Sequence, residues 1–418
     1  MGEVSRAVVL AASPDALTPV AGVPLAVRAV LALSAAGIAE MALLAGVQEP
    51  ELRRLLDRRG LGSRVVWLAF PADAAPVADG GPVLVLTADI LFDGAVLAPL
   101  LAAARLDERR AIRAVTPRAG LRVIVCPAPL LPALLAELDG GRRSLSEALA
   151  RIGGLDGPAV PLGDGLYAPL DAAGGAAALE ARLLDALARR TTAKDSYLAA
   201  LIDRRLSRPV TRLLLGSPVT PSQITLASIA LGLLGAAGLA TVSYGGRLGG
   251  VLALIASIVL DCVDGEVARA RVEQSAAGAR LDVVGDYVVH LAAFLGLGIG
   301  LARQGLPPGG GWAILALVAG VVAAMATMHA LFVRPALARG GDLHWTGDGE
   351  GFRGTAVAAV VEKLASRDYT YLLLVLALLG HLEWFLYAAA AGAWLFVAGV
   401  LAYARWQRVA PERAAVSP

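Results

Sequence analysis

The sequence predicts two structural classes in one chain: an α/β soluble domain with a mostly parallel sheet, fused to an all-α six-helix transmembrane domain. Three observations lead there. The 418 residues are 57% hydrophobic and only 17% charged, with a mean hydropathy of +0.66, so a membrane portion is expected. Before residue 190 the apolar runs are short, β-branched and interleaved with helical patterns. Beyond residue 222 they lengthen to the roughly 20 residues that a bilayer core demands. The expected division is a cytosolic domain over 1–190, a juxtamembrane amphipathic helix over 191–221 and a six-span membrane domain over 222–418.

In the first part, strands are expected at residues 7–11, 41–45, 64–69, 83–87, 112–115 and 121–126. Helical patterns fall between several of them, as at 25–36 and 49–59. This alternation favours a parallel sheet covered on both faces. The opening residues lack the long apolar core and cleavage site of a signal peptide, so the N-terminus is expected in the cytosol. Cys126 and Cys262 fall in different parts of the chain and are read as reduced thiols. A net charge of +2 argues against a nucleic-acid partner.

Between the two classes, Leu198, Leu201, Ile202, Leu206 and Leu213 form an apolar stripe beside Arg204, Arg205, Arg208 and Arg212. That pattern suits a helix lying on a membrane surface, kinked or divided at Pro209. Spans are expected at 224–244, 248–272, 281–302, 312–332, 369–382 and 385–406, the fifth being short. Arginines and lysines gather before the first span, between the second and third, between the fourth and fifth, and after the sixth. The opposite loops hold only Arg247 and Arg303. Both termini are therefore expected on the cytoplasmic side of the inner membrane. The Gly-rich stretch 334–367, with Asp342, His344, Asp348 and Glu350, reads as a cytosolic loop followed by an amphipathic helix.

Four carboxylates stand out against this apolar background. Asp261, Asp264, Asp282 and Asp286 lie in or beside membrane-length runs, where an ionisable group is costly unless it is paired, metal-bound or facing a polar cavity. Asp261 and Asp264 are i and i+3 on one helix, with Gly265 and Ala268 continuing that face. Gly278, Asp282 and Asp286 step i, i+4, i+8 along the next. Small residues let two such helices approach closely and converge the acids. A converged set needs divalent cations, and hard oxygen donors suit Mg²⁺ or Mn²⁺. A transporter or non-enzymatic scaffold with a polar helix pair is the reading from another class; no internal repeat supports it.

The run Asp261-x₂-Asp264-Gly265-x₂-Ala268-Arg269-x₈-Gly278-x₃-Asp282-x₃-Asp286 resembles, at every specified position, the signature of the CDP-alcohol phosphotransferase family. The resemblance implies attack of an acceptor alcohol on the β-phosphorus of a CDP-alcohol, with release of CMP. It implies Asp261, Asp264 and Asp282 as metal ligands and Asp286 as the base. It assigns Gly265, Ala268, Arg269 and Gly278 to nucleotide binding, membrane lipids as surroundings and a homodimer as the assembly. Two substrate readings stay open: CDP-diacylglycerol with a small polar alcohol, or a polar donor such as CDP-inositol, as in di-myo-inositol phosphate synthesis.

The first part is similar to sugar-phosphate nucleotidyltransferases. Residues 7–37 resemble that family's strand, phosphate loop and helix start, and residues 83–92 its strand leading to a metal-binding Asp, here Asp89. Asp171 and Glu180 fall in the register of its closing segment. The phosphate loop departs from the pattern: residues 11–17, Ala-Ala-Ser-Pro-Asp-Ala-Leu, contain no glycine, no basic residue and an acid at Asp15. A triphosphate needs backbone N–H groups and cations there. The domain is expected to be inactive.

Overall fold

The computed structural model describes residues 4–68, 81–105, 110–115, 120–138, 143–192, 199–306, 308–334 and 369–414. The chain divides into two compact units, Met1–Ala188 and Arg189–Pro418.

The first unit is built on eleven described strands: β1 Arg6–Leu10, β2 Pro19–Val20, β3 Val23–Pro24, β4 Glu40–Leu44, β5 Val65–Trp67, β6 Val83–Thr87, β7 Ile90–Phe92, β8 Ile112–Val115, β9 Val123–Cys126, β10 Ala159–Pro161 and β11 Tyr167–Pro169. Seven form one sheet in the order β10-β8-β9-β6-β1-β4-β5. β1 pairs in parallel with both β4 and β6, whereas β9 runs antiparallel to its two neighbours. Both faces are buried, which is why the strands read as continuous apolar runs. Ala7, Val9, Leu84 and Leu86 pack with helix α1 (Leu25–Ala35), through Val27, Val30 and Leu33. Val8, Val83, Val85 and Ile124 face the other way. They meet Leu131, Leu134, Leu145 and Leu149, on helices 131–137 and 145–151. Cys126 is buried on that second face, and burial pushes its thiol up to about 12. Neither Cys126 nor Cys262 is in a disulfide among the described residues.

Arg28, on α1, is buried and donates from Nε and Nη2 to the carbonyl of Val20, at 3.0 and 2.6 Å. Glu180 accepts the backbone N–H of Ala21 at 2.9 Å. The β2–β3 turn is thus held from both sides at Ala21, whose φ of 48° a side chain rarely adopts.

The second unit is helical. A π-helical turn, Ala199–Asp203, leads into α2 (Arg204–Leu215). Pro209 lies inside α2 without dividing it; its ring removes one donor, but the helix continues on both sides. The basic face expected here also needs correction. Arg204, Ser207 and Thr211 form a buried polar line, while Leu201, Leu206 and Leu213 are exposed. Arg204 is therefore part of the packed interior, for the reason given below.

Helices α3 (Pro221–Leu239), α4 (Tyr244–Arg271), α5 (Ala276–Gln304) and α6 (Gly310–Met328) follow, then α7 (Tyr369–Leu379) and α8 (Leu382–Ala414). Among the described residues five segments are long and apolar enough to cross a membrane, so this is a multi-pass membrane protein. The six expected spans differ at the fifth: α7 has 11 described residues, roughly 16 Å at the helical rise and short of a bilayer core. Helix α3 starts three residues before its expected apolar run because Thr220 and Gln223 form a capping box ahead of Pro221.

Glycines set the helix spacing. A Cβ on Gly296 would stand 2.2 Å from the Ala236 carbonyl oxygen, and one on Gly300 2.1 Å from that of Leu239. Backbone approach this close makes α3 and α5 intolerant of any side chain there. Gly300→Ala is expected to lower unfolding stability by about 1–3 kcal/mol, read as a reduced melting midpoint in detergent. An unchanged midpoint would show that the α3–α5 contact is loose.

Candidate functional site

The acids of the sequence signature are delivered by α4 and α5, which are joined by a short turn. Helix α4 ends where Val272 turns into the left-handed region at φ 54°. Helix α5 restarts at Ser275, whose hydroxyl accepts the N–H of Gly278 at 3.0 Å. Gly278 therefore serves first as a capped position of the helix start. The turn reverses the chain so that the last third of α4 faces the first third of α5.

Asp261, Asp264 and Asp282 come together as expected of one face on each helix. Each offers a carboxylate oxygen, and these atoms lie within 4.8 Å of one another. Asp264 is buried at 7% exposure, and its Oδ2 accepts the hydroxyl of Thr225 on α3 at 2.5 Å. Three acids this close, with one oxygen already oriented by a neutral donor, form an oxygen-rich set that fits a hard divalent cation. Asp286 lies one turn beyond Asp282 and lines the same cleft as Asp261 and Asp282, outside the tight three-acid set. The cleft is lined further by Thr225, Ser228, Ser257, His290, Tyr369 and Thr370.

His290 donates from Nδ1 to the carbonyl of Asp286 at 2.8 Å and meets Tyr369 edge-on. His329 packs against Tyr287. Neither histidine joins the acid set. Ser228 and Ser257 bind each other's backbone carbonyls at 2.9 and 2.8 Å, clasping α3 to α4 beneath the acids. The Arg269 guanidinium folds over Gly265, where an added Cβ would meet its Nη1 at 2.9 Å. Gly265 thus makes room for Arg269 itself. Ala268 follows on the same helix, in the last turn before its end.

Two functional side chains escaped the sequence reading. Glu266, one residue past Gly265, accepts from Arg204 at 2.9 Å, Ser207 at 2.8 Å and Thr211 at 2.5 Å. It ties α2 to the acid-bearing helix. Arg271, one of the basic residues between the second and third expected spans, is buried and donates to the carbonyls of Leu214, Leu215, Ser217 and Val219 at 2.5–3.1 Å. It satisfies the carbonyls left open where α2 ends. Tyr371 adds a bond from α7 to Asp203. A charged residue in an apolar helix was the available signal for Glu266; its partners, 55 to 62 residues away, were not visible.

In the first unit, Asp89 and Asp171 meet at Arg122. The expected loop over residues 11–17 is closed by Ser13, which caps a single 3-10 turn, Pro14–Leu17. Asp342, His344, Asp348 and Glu350 lie outside the described residues.

The model of the family described as CDP-alcohol phosphatidyltransferase matches residues 218–406. The chain carries a CDP-alcohol phosphatidyltransferase domain. All four acids, Thr225 and Glu266 fall inside the matched stretch, which begins just after α2. A relative named as a bifunctional IPC transferase and DIPP synthase, from Rubrobacter xylanophilus, is 44% identical over 91 residues. That stretch covers 22% of this chain and only 20% of the relative. The crystal structure of phosphatidylinositol phosphate synthase from Mycobacterium tuberculosis, in apo form, is 23% identical. It aligns over 47% of this chain and 90% of its own, with a TM-score of 0.29.

Proposed function

We propose that the protein is an integral membrane CDP-alcohol phosphotransferase, moving a substituted phosphate from a CDP-alcohol to an acceptor alcohol with release of CMP. The observation that carries this reading is the convergence of Asp261, Asp264 and Asp282 within 4.8 Å, beside a cleft that Asp286 also lines. Asp261, Asp264 and Asp282 would hold Mg²⁺ or Mn²⁺. When bound, such ions neutralise a pyrophosphate and its leaving phosphate during an in-line displacement. Arg269, folded beside Gly265, supplies a cation for phosphate on the same helix face. Ala268 and Gly278 leave the helix backbone open to the cytidine.

Asp286 is assigned as the base. An acceptor hydroxyl bound in the cleft loses its proton to the Asp286 carboxylate as its oxygen bonds to the β-phosphorus. The phosphoanhydride bond breaks, and the electron pair leaves on the CMP phosphate. A base must stand within hydrogen-bond reach of that hydroxyl, and Asp286 lines the cleft together with Val289, His290 and Ala293. The Arg-rich segments flanking the spans support a reading with both termini and this site on the cytoplasmic side of the inner membrane, with α7 as a short fifth crossing and a homodimeric assembly. The unit before residue 189 serves as a non-catalytic domain.

A polar donor such as CDP-inositol, in place of CDP-diacylglycerol, is a second reading of the same site, with which the R. xylanophilus relative's name is consistent. The purified protein in detergent, given a panel of CDP-alcohols and acceptors with Mg²⁺ or Mn²⁺, is expected to release CMP with at least one pair. Chelation is expected to stop release, and either ion to restore it. No release from any pair, with metal present and the protein folded, would overturn the assignment.

A further inference from the structure

The first unit holds a second set of converging charges. In its sheet the chain moves one way from β1 to β4 and β5, then returns to place β6 on the other side of β1. At such a reversal in an open α/β sheet, a ligand crevice opens outside the carboxyl ends of the strands. Asp89 stands there, two residues past the end of β6, and is 9% exposed. Pairing of β7 with β11 sets Pro169 opposite Ile90, and the N–H of Leu170 donates to the Asp89 carbonyl at 2.9 Å. Asp171 is thereby carried to Asp89's side. The antiparallel ladder of β6 and β9 runs one step further, with the N–H of Thr87 donating to the Arg122 carbonyl at 3.0 Å. That step delivers Arg122 to the same place.

The Arg122 guanidinium then forks between the two acids, Nη1 to Asp89 Oδ2 and Nη2 to Asp171 Oδ2, the latter at 2.7 Å. Asp89 Oδ1 and Thr87 Oγ1 are buried beside it without a hydrogen-bond partner among the described residues. Two carboxylates from different elements, with a spare buried oxygen, are the donor set of a divalent-cation site. Here a permanently charged fork already bridges them.

We infer that Arg122 is the resident cation of this crevice, and that its guanidinium excludes the divalent ion which the Asp89–Asp171 pair would otherwise bind. The crevice carries two negative charges against one positive, so it also lacks the positive field that a phosphate ligand requires. The adjoining loop after β1 adds Asp15 and no Arg or Lys. The carboxylates do not fit a resident metal while Arg122 is in place, and this separates them from the acid set of the membrane unit.

Bound Mn²⁺ per full-length chain, counted by electron paramagnetic resonance in detergent, tests this directly. The membrane site contributes the same background to every variant. Arg122→Ala is expected to bind one more ion than the wild type, and Arg122→Ala with Asp89→Asn to return to the wild-type count. Arg122→Gln, which keeps most of the side chain's packing, is expected to show the same gain and serves if the alanine variant does not fold. Asp89→Asn alone is expected to leave the count unchanged. Equal counts in the wild type and a folded Arg122 variant would overturn the inference, as would the loss of one ion on Asp89→Asn alone.

Discussion

Asp286→Asn is expected to slow CMP release by about 10²- to 10⁴-fold, the range that a positioned general base contributes. The substitution keeps the shape of the side chain and leaves the His290 contact in place, because that bond is made to the backbone carbonyl of residue 286. What is lost is a carboxylate able to accept the acceptor's proton. Asp286 lies outside the three-acid set, so Asp286→Asn is expected to retain Mn²⁺ in the membrane unit. Asp264→Asn is expected to weaken Mn²⁺ binding and turnover together, since it removes a buried carboxylate oriented by Thr225. Turnover at the wild-type rate in Asp286→Asn would remove the residue from the base role. Loss of Mn²⁺ along with turnover would make it a ligand instead.

Glu266→Ala is expected to destabilise the membrane unit by about 3–5 kcal/mol, the cost of leaving one member of a buried ion pair alone. Arg204 has 9% of its side chain exposed and Glu266 has 13%, so water does not replace the missing partner. Ser207 and Thr211, both fully buried within α2's packed line, lose their acceptor as well. Glu266→Gln keeps an acceptor oxygen and the shape, and is expected to cost less than the alanine variant. Ser207→Ala alone is expected to cost about 1 kcal/mol, the net value of one hydrogen bond. Melting midpoints in detergent for the three variants give the order. A loss below about 1 kcal/mol for Glu266→Ala would mean that Arg204 finds solvent or another acceptor. The same clamp bears on the site, because Glu266 sits between Gly265 and Arg269 on the acid-bearing helix.

Much of the architecture was legible from pattern. The strands of the first unit were readable as short apolar runs because both sheet faces are buried, as Val8 against Val9 and Val85 against Leu86 demonstrate. The long membrane helices were readable by length, with bounds that shifted by several residues, in places because capping chemistry intervened, as at Thr220 and Ser275. The fifth span, weak in the sequence, gave the 11-residue α7. The helix 204–215 was readable as amphipathic, but Arg204 was wrongly counted on its exposed basic face. Leu206 and Leu213 stay exposed, whereas the partly buried Glu266 carboxylate on α4 draws Arg204 into the packed side.

The acids could be placed from spacing because a helix repeats every 3.6 residues, so i, i+3 and i, i+4 positions share a face whatever the helix packs against. Sequence by itself therefore determined the two fold classes, the membrane character and the acid-bearing faces of α4 and α5. Tertiary structure decided which distant groups complete them. Thr225 reaches Asp264, Glu266 gathers α2, Arg271 holds the end of α2, and Arg122 arrives between Asp89 and Asp171. Each of these depends on a helix crossing or a strand register fixed by burial over the whole unit, and no local period in the chain encodes such a partner.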